Sequence, residues 1–184
     1  MPTPSGQLTA PRLRALLDEG TLAGDWDLDA AKSSIRLKTK AMWGLVPVSG
    51  AFREISGSGV IAADGTASGT VTVTAASVDT RNARRDKHLR SADFLDTDNN
   101  PAITFALDGV QPSGEGVTIT GSLTIRGRTQ PLSLQAATSV LSDGEIWLDA
   151  ETSINRADYG ISWNQMGMAA MTSTITIHAV FTRR

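Results

Sequence analysis

Arg85, Asp86 and His88 fall within four residues of one another, inside the stretch RDKHLRSADFLDTDNNPAITF that runs from Arg85 to Phe105. An imidazole beside a carboxylate and a guanidinium is raw material for general acid–base catalysis. The spacing argues against that use. On a helix, residues two apart do not face each other, so Asp86 is a poor orienter of the His88 ring. The second histidine, His178, alternates with Ile177 on a terminal strand and points outward. No serine elbow, HExxH motif or metal-spaced set of His, Cys and Asp accompanies them. The favoured reading is architectural. Arg85 and Asp86 anchor a short helix, and Asp86 pairs with Arg156. Asp158, two residues further along a strand end, shares the face of Arg156 and completes the network. Arg85, Asp86, His88, Arg156 and Asp158 are thus expected to hold structure, with no catalytic residue, metal or cofactor. The rival is an enzyme that uses His88 and nearby carboxylates on a bound hydrophobic substrate.

A second group is soft and aromatic. Trp43, Trp163, Met166, Met168 and Met171 sit in MWGLV (42–46) and ISWNQMGMAAM (161–171), two segments between strands. Methionine adapts to ligands of different shape, and tryptophan suits an edge that is dry on one side and wet on the other. They read as a mouth or lid that contacts ligand, hinged at Gly44 and Gly167. Ordinary loop packing is an equal alternative, and a homodimer interface is a third. Arg126 and Arg128 crown a tight turn. Solvated turn residues are the favoured reading there over contacts to anionic headgroups.

These residues need a scaffold. The chain has 184 residues, room for one domain with a sizeable core. It has no cysteine, so disulfides and thiolate chemistry are excluded. The net charge of −2 argues against nucleic-acid binding. No apolar run approaches the roughly 18 residues needed to cross a bilayer, so no stable membrane insertion is expected. The first residues lack the basic and apolar regions of a secretory signal, which predicts a cytoplasmic protein.

Residues 1–23 read as an extension with a short helix near 10–19, with Thr9 as N-cap, Pro11 in the first turn and Leu13, Leu16 and Leu17 on one side. From residue 24 to 184 the period changes to two. Ile35, Leu37 and Thr39 alternate with Arg36, Lys38 and Lys40, and the same alternation recurs around Val71 and Val73, Ile103 to Leu107, Val117 to Ile125, Leu132 and Leu134, Ile146 to Ile154, and Ile175 to Phe181. Turns at Asp64-Gly65, Pro112-Ser113-Gly114, Arg126-Gly127-Arg128 and Asp143-Gly144 punctuate it. About eight or nine half-buried strands follow, joined by short connections and therefore antiparallel. Only residues 82–91 break the period, as a short helix. A closed barrel and a two-sheet sandwich both suit the pattern, and glycines within strands, Gly57, Gly59 and Gly121, favour the barrel. Inward residues would be Leu37, Phe52, Val71, Val73, Phe105, Leu123, Leu134, Ile154 and Ile177, with Leu89 and Phe94 covering one end. The same side chains serve a hollow ligand-binding barrel or a filled core.

Several segments resemble the YceI-like family of lipid- or polyisoprenoid-binding proteins. They are WDLD (26–29), GAF (50–52), TRNARRDKHLRSADFLD (80–96), NPAITF (100–105), GSLTIRGRTQPL (121–132) and INRADYG (154–160), in that order. Lys32-Ser33 stands where that family often has His-Ser, and Leu37 where it has Phe. The resemblance implies an eight-stranded antiparallel lipocalin-like barrel whose long apolar cavity takes an isoprenoid-chain lipid or quinone, and no catalytic residue. It favours the hollow reading. The expectation is an all-β protein, not an enzyme, that binds and carries such a lipid in its interior. A filled barrel that dimerises through the Trp/Met surface is the other alternative.

Overall fold

Alternating side chains commit a segment to strand because each then buries one face and wets the other. The computed structural model, which describes residues 6–141 and 144–184, shows where that alternation leads. The strands are β1 (Gly24–Leu28), β2 (Ser34–Ala41), β3 (Val46–Phe52), β4 (Ile55–Ile61), β5 (Ala67–Thr74), β6 (Val78–Asp79), β7 (Ala102–Ser113), β8 (Gly116–Ile125), β9 (Arg128–Val140), β10 (Glu145–Asn155) and β11 (Thr172–Arg183). Their order in the sheet is β1-β4-β5-β7-β8-β9-β10-β11-β2-β3-β6, every pairing is antiparallel, and β1 also pairs with β11. That pairing closes an eight-strand ring and excludes the sandwich.

The three remaining strands are continuations. β1 and β2 both lie along β11, with Leu28 opposite Phe181 and Ile35 opposite Ile177. β4 and β3 lie along that interrupted strand, and β5 and β6 lie along β4 and β3. Three long strands are each broken once, and each break has a cause. Between β1 and β2, Asp29 accepts from the backbone of Ala31 and Lys32, while Ser33 Oγ accepts from Val180 N at 2.9 Å and pins the kink to β11. The other two breaks face each other: Arg53 N donates to Ser77 O, and Glu54 N to Ser77 Oγ. The result is an up-and-down barrel that closes on itself between β1 and β11, with only the two-residue β6 at an end of the strand order.

Closure needs close backbone approach at two places. A Cβ on Gly69 would lie 2.6 Å from Ser58 O across the β4–β5 pair. A Cβ on Gly121 would lie 2.5 Å from Phe105 Cζ, so the Phe105 ring lies over bare backbone.

Helix α1 (Ala10–Asp18) covers one end. Thr9 occupies its N-cap with extended backbone but makes no side-chain cap bond, and Gly20 ends the segment at φ 67°. Leu13 joins Leu22, Val117, Ile119, Leu134 and Ala136 in the buried cluster. Beside it, Trp26 is buried, donates from Nε1 to Leu22 O at 3.0 Å, and lies under the Arg183 guanidinium. The opposite end carries helix α2 (Ala83–Arg90), the β8–β9 turn, the 156–171 segment and the β2–β3 tip. One turn differs from expectation. Pro112 belongs to β7, opposite Val117, because the hairpin reverses at Gly114, where φ is 57°. Asp143 of the Asp143-Gly144 turn lies outside the described residues. No described helix is long and apolar enough to cross a membrane.

Candidate functional site

The inward rows do not meet at the barrel axis. They enclose a cavity of about 570 Å³, within the ~300–1,000 Å³ common for small-molecule sites. The barrel is therefore hollow rather than filled. Leu37, Phe52, Val71, Val73, Phe94, Phe105, Leu123, Leu134, Ile154, Trp163 and Ile177 all line it. So do Leu13, Leu22 and Trp26 at the α1 end, and Tyr159 and Ile161 at the other. The sequence reading did not name these five as lining residues: Leu22, Tyr159 and Ile161 lie in irregular or 3-10 segments that no periodicity orients, Trp26 is in a strand of only five residues, and the docking of the α1 face that carries Leu13 is set by tertiary contacts.

The expected mouth residues divide. Trp163 lines the cavity, whereas Trp43, Met166, Met168 and Met171 do not. Trp43 and Met166 stand out into solvent, 64% and 79% exposed, joined by a bond from Trp43 Nε1 to Met166 O at 3.1 Å. Met168 and Met171 are half-buried. Trp43 stands on the β2–β3 turn and Met166 on the 3-10 turn Gln165–Gly167, and both face solvent rather than the interior.

Helix α2 is held over its end of the barrel by charge. Asp86 is buried and accepts on Oδ1 from both Thr80 N (2.9 Å) and Thr80 Oγ1 (2.5 Å). The same hydroxyl accepts from Arg85 Nε at 2.7 Å, and Arg85 also donates to Thr80 O. Thr80 thus links the two charges of consecutive helical residues. Asn82 caps the helix at Arg85 N, and Arg90 donates to the carbonyls of Ala76 and Val78. Four side chains tie one short polar helix to the β5–β6 segment, which compensates for its lack of an apolar face.

Arg156 is the matching clamp on the other side. It is nearly buried, and its guanidinium donates to four carbonyls of its own loop: Ile161, Trp163, Ala169 and Ala170. Burial lowers its pKa from the usual value. It does not pair with Asp86, as the spacing had suggested: among the described residues no ion pair within 4.0 Å joins them. Each is satisfied locally. Nor does Asp158 share a face with Arg156. Residues 156–159 form a 3-10 turn rather than a strand end, so Arg156 points in and Asp158 is exposed. Tyr159 follows Arg156 inward, and burial first, then Asp158, raises its phenol pKa.

His88, Phe94 and Trp163 close the space between the two clamps. His88 meets Phe94 and Trp163 edge-on, with ring centroids 5.0 and 4.6 Å apart, and Phe94 and Trp163 are 5.2 Å apart. Arg156 lies 5.5 Å over the Phe94 ring. The carboxylate beside His88 is Asp93, at 2.9 Å from Nε2. It reaches His88 because the chain folds back after α2, with Leu95 N donating to Leu89 O. His178 lies on the outer wall, bonded to Asp149 at 2.6 Å and edge-on to Trp147. Lys32 and Trp147 both donate to Glu145 and hold its carboxyl below the usual range. Arg126 is not a free cation at a turn tip: it is half-buried and donates to Gly160 O. No cluster of three or more metal-type ligands occurs among the described residues.

A family model described as a YceI-like domain matches residues 26–181. Protein YceI of Escherichia coli O17:K52:H18 is 52% identical over 66 residues, a match that spans about a third of each chain, 36% of this one and 35% of that relative. Among solved structures, BcnA of Burkholderia cenocepacia superposes with a TM-score of 0.75 at 23% identity, covering 83% of this chain and 98% of its own. A polyisoprenoid-binding domain from Saccharophagus degradans, implicated in plant cell wall breakdown, gives 0.70 at 18% identity, covering 86% and 98%. At these identities the two structures show a shared fold.

Proposed function

The chain belongs to the YceI-like family, and on that premise we propose that its barrel binds and carries an isoprenoid-chain amphiphile, a polyprenyl lipid or a quinone. The cavity carries this reading: it is lined by aliphatic and aromatic rows, with Arg85, His88 and Arg156 gathered at the α2 end. An apolar tail in such a space gains from burial alone. At about 0.8 kcal/mol per CH₂-sized group, each five-carbon unit contributes up to ~4 kcal/mol before ordering costs are subtracted. That attraction is non-directional and tolerates tails of different length. Discrimination falls to the few polar groups at one end. The name of the Saccharophagus degradans domain supports the ligand class. We read the protein as a binder rather than an enzyme, because the lining surface is almost wholly apolar and the fold is shared with a polyisoprenoid-binding domain.

The test is extraction of natively purified protein with organic solvent, followed by mass spectrometry. A stoichiometric polyprenyl lipid or quinone supports the reading. Empty protein that also refuses polyprenyl lipids added in vitro overturns it. Ala150, which lines the cavity from β10 opposite Ala136 and Ile177, offers a specific control. Ala150→Trp should fill the space, abolish uptake and leave the thermal midpoint unchanged or higher.

A further inference from the structure

We infer that the β2–β3 tip is a membrane-docking wedge, built to seat the α2 end of the barrel on an anionic phospholipid surface. Six large apolar side chains are left exposed among the described residues, and five of them gather at one place: Met42 (50%), Trp43 (64%), Leu45 (80%), Val46 (38%) and Met166 (79%). They belong to two loops locked together. Trp43 Nε1 donates to Met166 O, Ala170 N donates to Lys40 O, and Ala41 bridges to Ala169. The wedge is thus one body. It adjoins the cavity, because Lys40, Ala41, Ala169 and Ala170 border it.

The backbone holds these side chains out under strain. Met42 (φ 50°), Trp43 (φ 56°) and Met166 (φ 53°) all adopt the left-handed region that glycine would occupy without cost. Large apolar residues hold those positions although, among the described residues, at least half of each is left uncovered.

Charge identifies the occupant. Arg36, Lys38 and Lys40 form the outward row of β2 that leads to the tip; all three are exposed, and none enters an ion pair among the described residues. Their cross-strand partners on β11 and β3 are Thr174, Thr176, Ala51, Ser49 and Pro47, not carboxylates. The nearest acids on that wall lie one strand further away and are engaged elsewhere: Asp149 and Glu151 on β10 are bonded to His178 and Thr176, and Asp79 on β6, opposite Ala51, is paired with Arg53. An apolar tip on a cationic stem suits a bilayer interface, where Trp, Leu and Met enter the headgroup boundary and Lys and Arg meet anionic lipid. A second copy of the chain suits it less well. Five residues on a projecting turn fall far short of the roughly 20–30 residues a side of a standard protein interface. The inference is independent of the identity, or presence, of cargo.

Flotation with vesicles tests it. Wild-type protein should float with phosphatidylcholine vesicles containing roughly one-third phosphatidylglycerol, and less with pure phosphatidylcholine or in high salt. Trp43→Ser with Leu45→Ser should lower partition about tenfold or more. Lys38→Glu with Lys40→Glu should remove the preference for anionic vesicles. Both double variants should keep the barrel folded, with a thermal midpoint close to wild type, since the loops remain joined by the Ala170 N–Lys40 O bond and the Ala41–Ala169 bridge when the Trp43–Met166 bond is lost. Wild-type protein that does not float, or tip variants that float equally well, would overturn the inference. So would a wild-type dimer, seen by sedimentation, that the tip substitutions convert to monomer. Lipid uptake that persists in a non-floating protein would leave the carrier reading intact and remove this one.

Discussion

Arg156 brings a full positive charge into a nearly dry position and distributes it over four carbonyls that no β-ladder satisfies. Without it the 156–171 segment would have to bury those oxygens unpaired or open to water. Arg156→Met should therefore cost about 2–4 kcal/mol in urea unfolding. Arg156→Lys should lose most of the same amount, because one ammonium cannot reproduce the planar fork that serves them all. Asp86 follows the same logic with one residue, Thr80, as its partner. In both cases the buried charge was legible as structural from the sequence, but its partner was not. A carboxylate and a guanidinium in two separate polar motifs suggest each other, whereas the folded chain answers each with neighbours within 14 residues along the chain.

Helix α1 is a closure element rather than a leader. Leu13 sits 5% exposed in the same cluster as Val117, Ile119 and Leu134, across the end of the barrel. Leu13→Ala should cost about 2–4 kcal/mol in chemical denaturation and leave a cavity the end cannot collapse to fill. Helix α2 at the opposite end has no such apolar anchor and depends on Asp86, Arg85 and Arg90. The two ends differ in kind: one is sealed by packing, the other by hydrogen bonds around an aromatic trio.

For the molecule as a whole, several carboxylates are more acidic in the fold than in the unfolded chain. Asp79 is held down first by the Arg81 amide and then by Arg53, Asp27 by Arg184, Asp64 by Thr66, and Glu145 by Lys32 and Trp147. A depressed native pKa means the unfolded state binds protons first. The stability these groups contribute is fully present above the ordinary values, 3.8 for Asp and 4.5 for Glu, and is lost as pH falls from there through the lowered native values. The thermal midpoint should therefore be flat from neutral pH to about 5 and drop below it, and Asp79→Asn should reduce the drop. A midpoint unchanged down to about pH 3 would contradict this.

Strand alternation, the break in period at the α2 segment and the leucine spacing of α1 were determined locally, and the chain displays them as a sequence. They depend on which face of a short segment is apolar, and that needs no knowledge of distant residues. The same alternation assigned Leu37, Val73, Phe105, Leu123 and Ile177 to the interior before any pairing was known. Tertiary structure alone decided the rest. Whether those rows would touch or enclose a space depends on ring size and stagger, which only the β1–β11 closure sets. Trp43 and Met166 lie outside that space, although their residue types promised a ligand contact, because the β2–β3 turn and the Gln165–Gly167 turn that carry them meet each other on the solvent side. His88 found Asp93 instead of Asp86 because the chain reverses after α2. Local pattern chooses a side chain's face, but long-range closure chooses its partner.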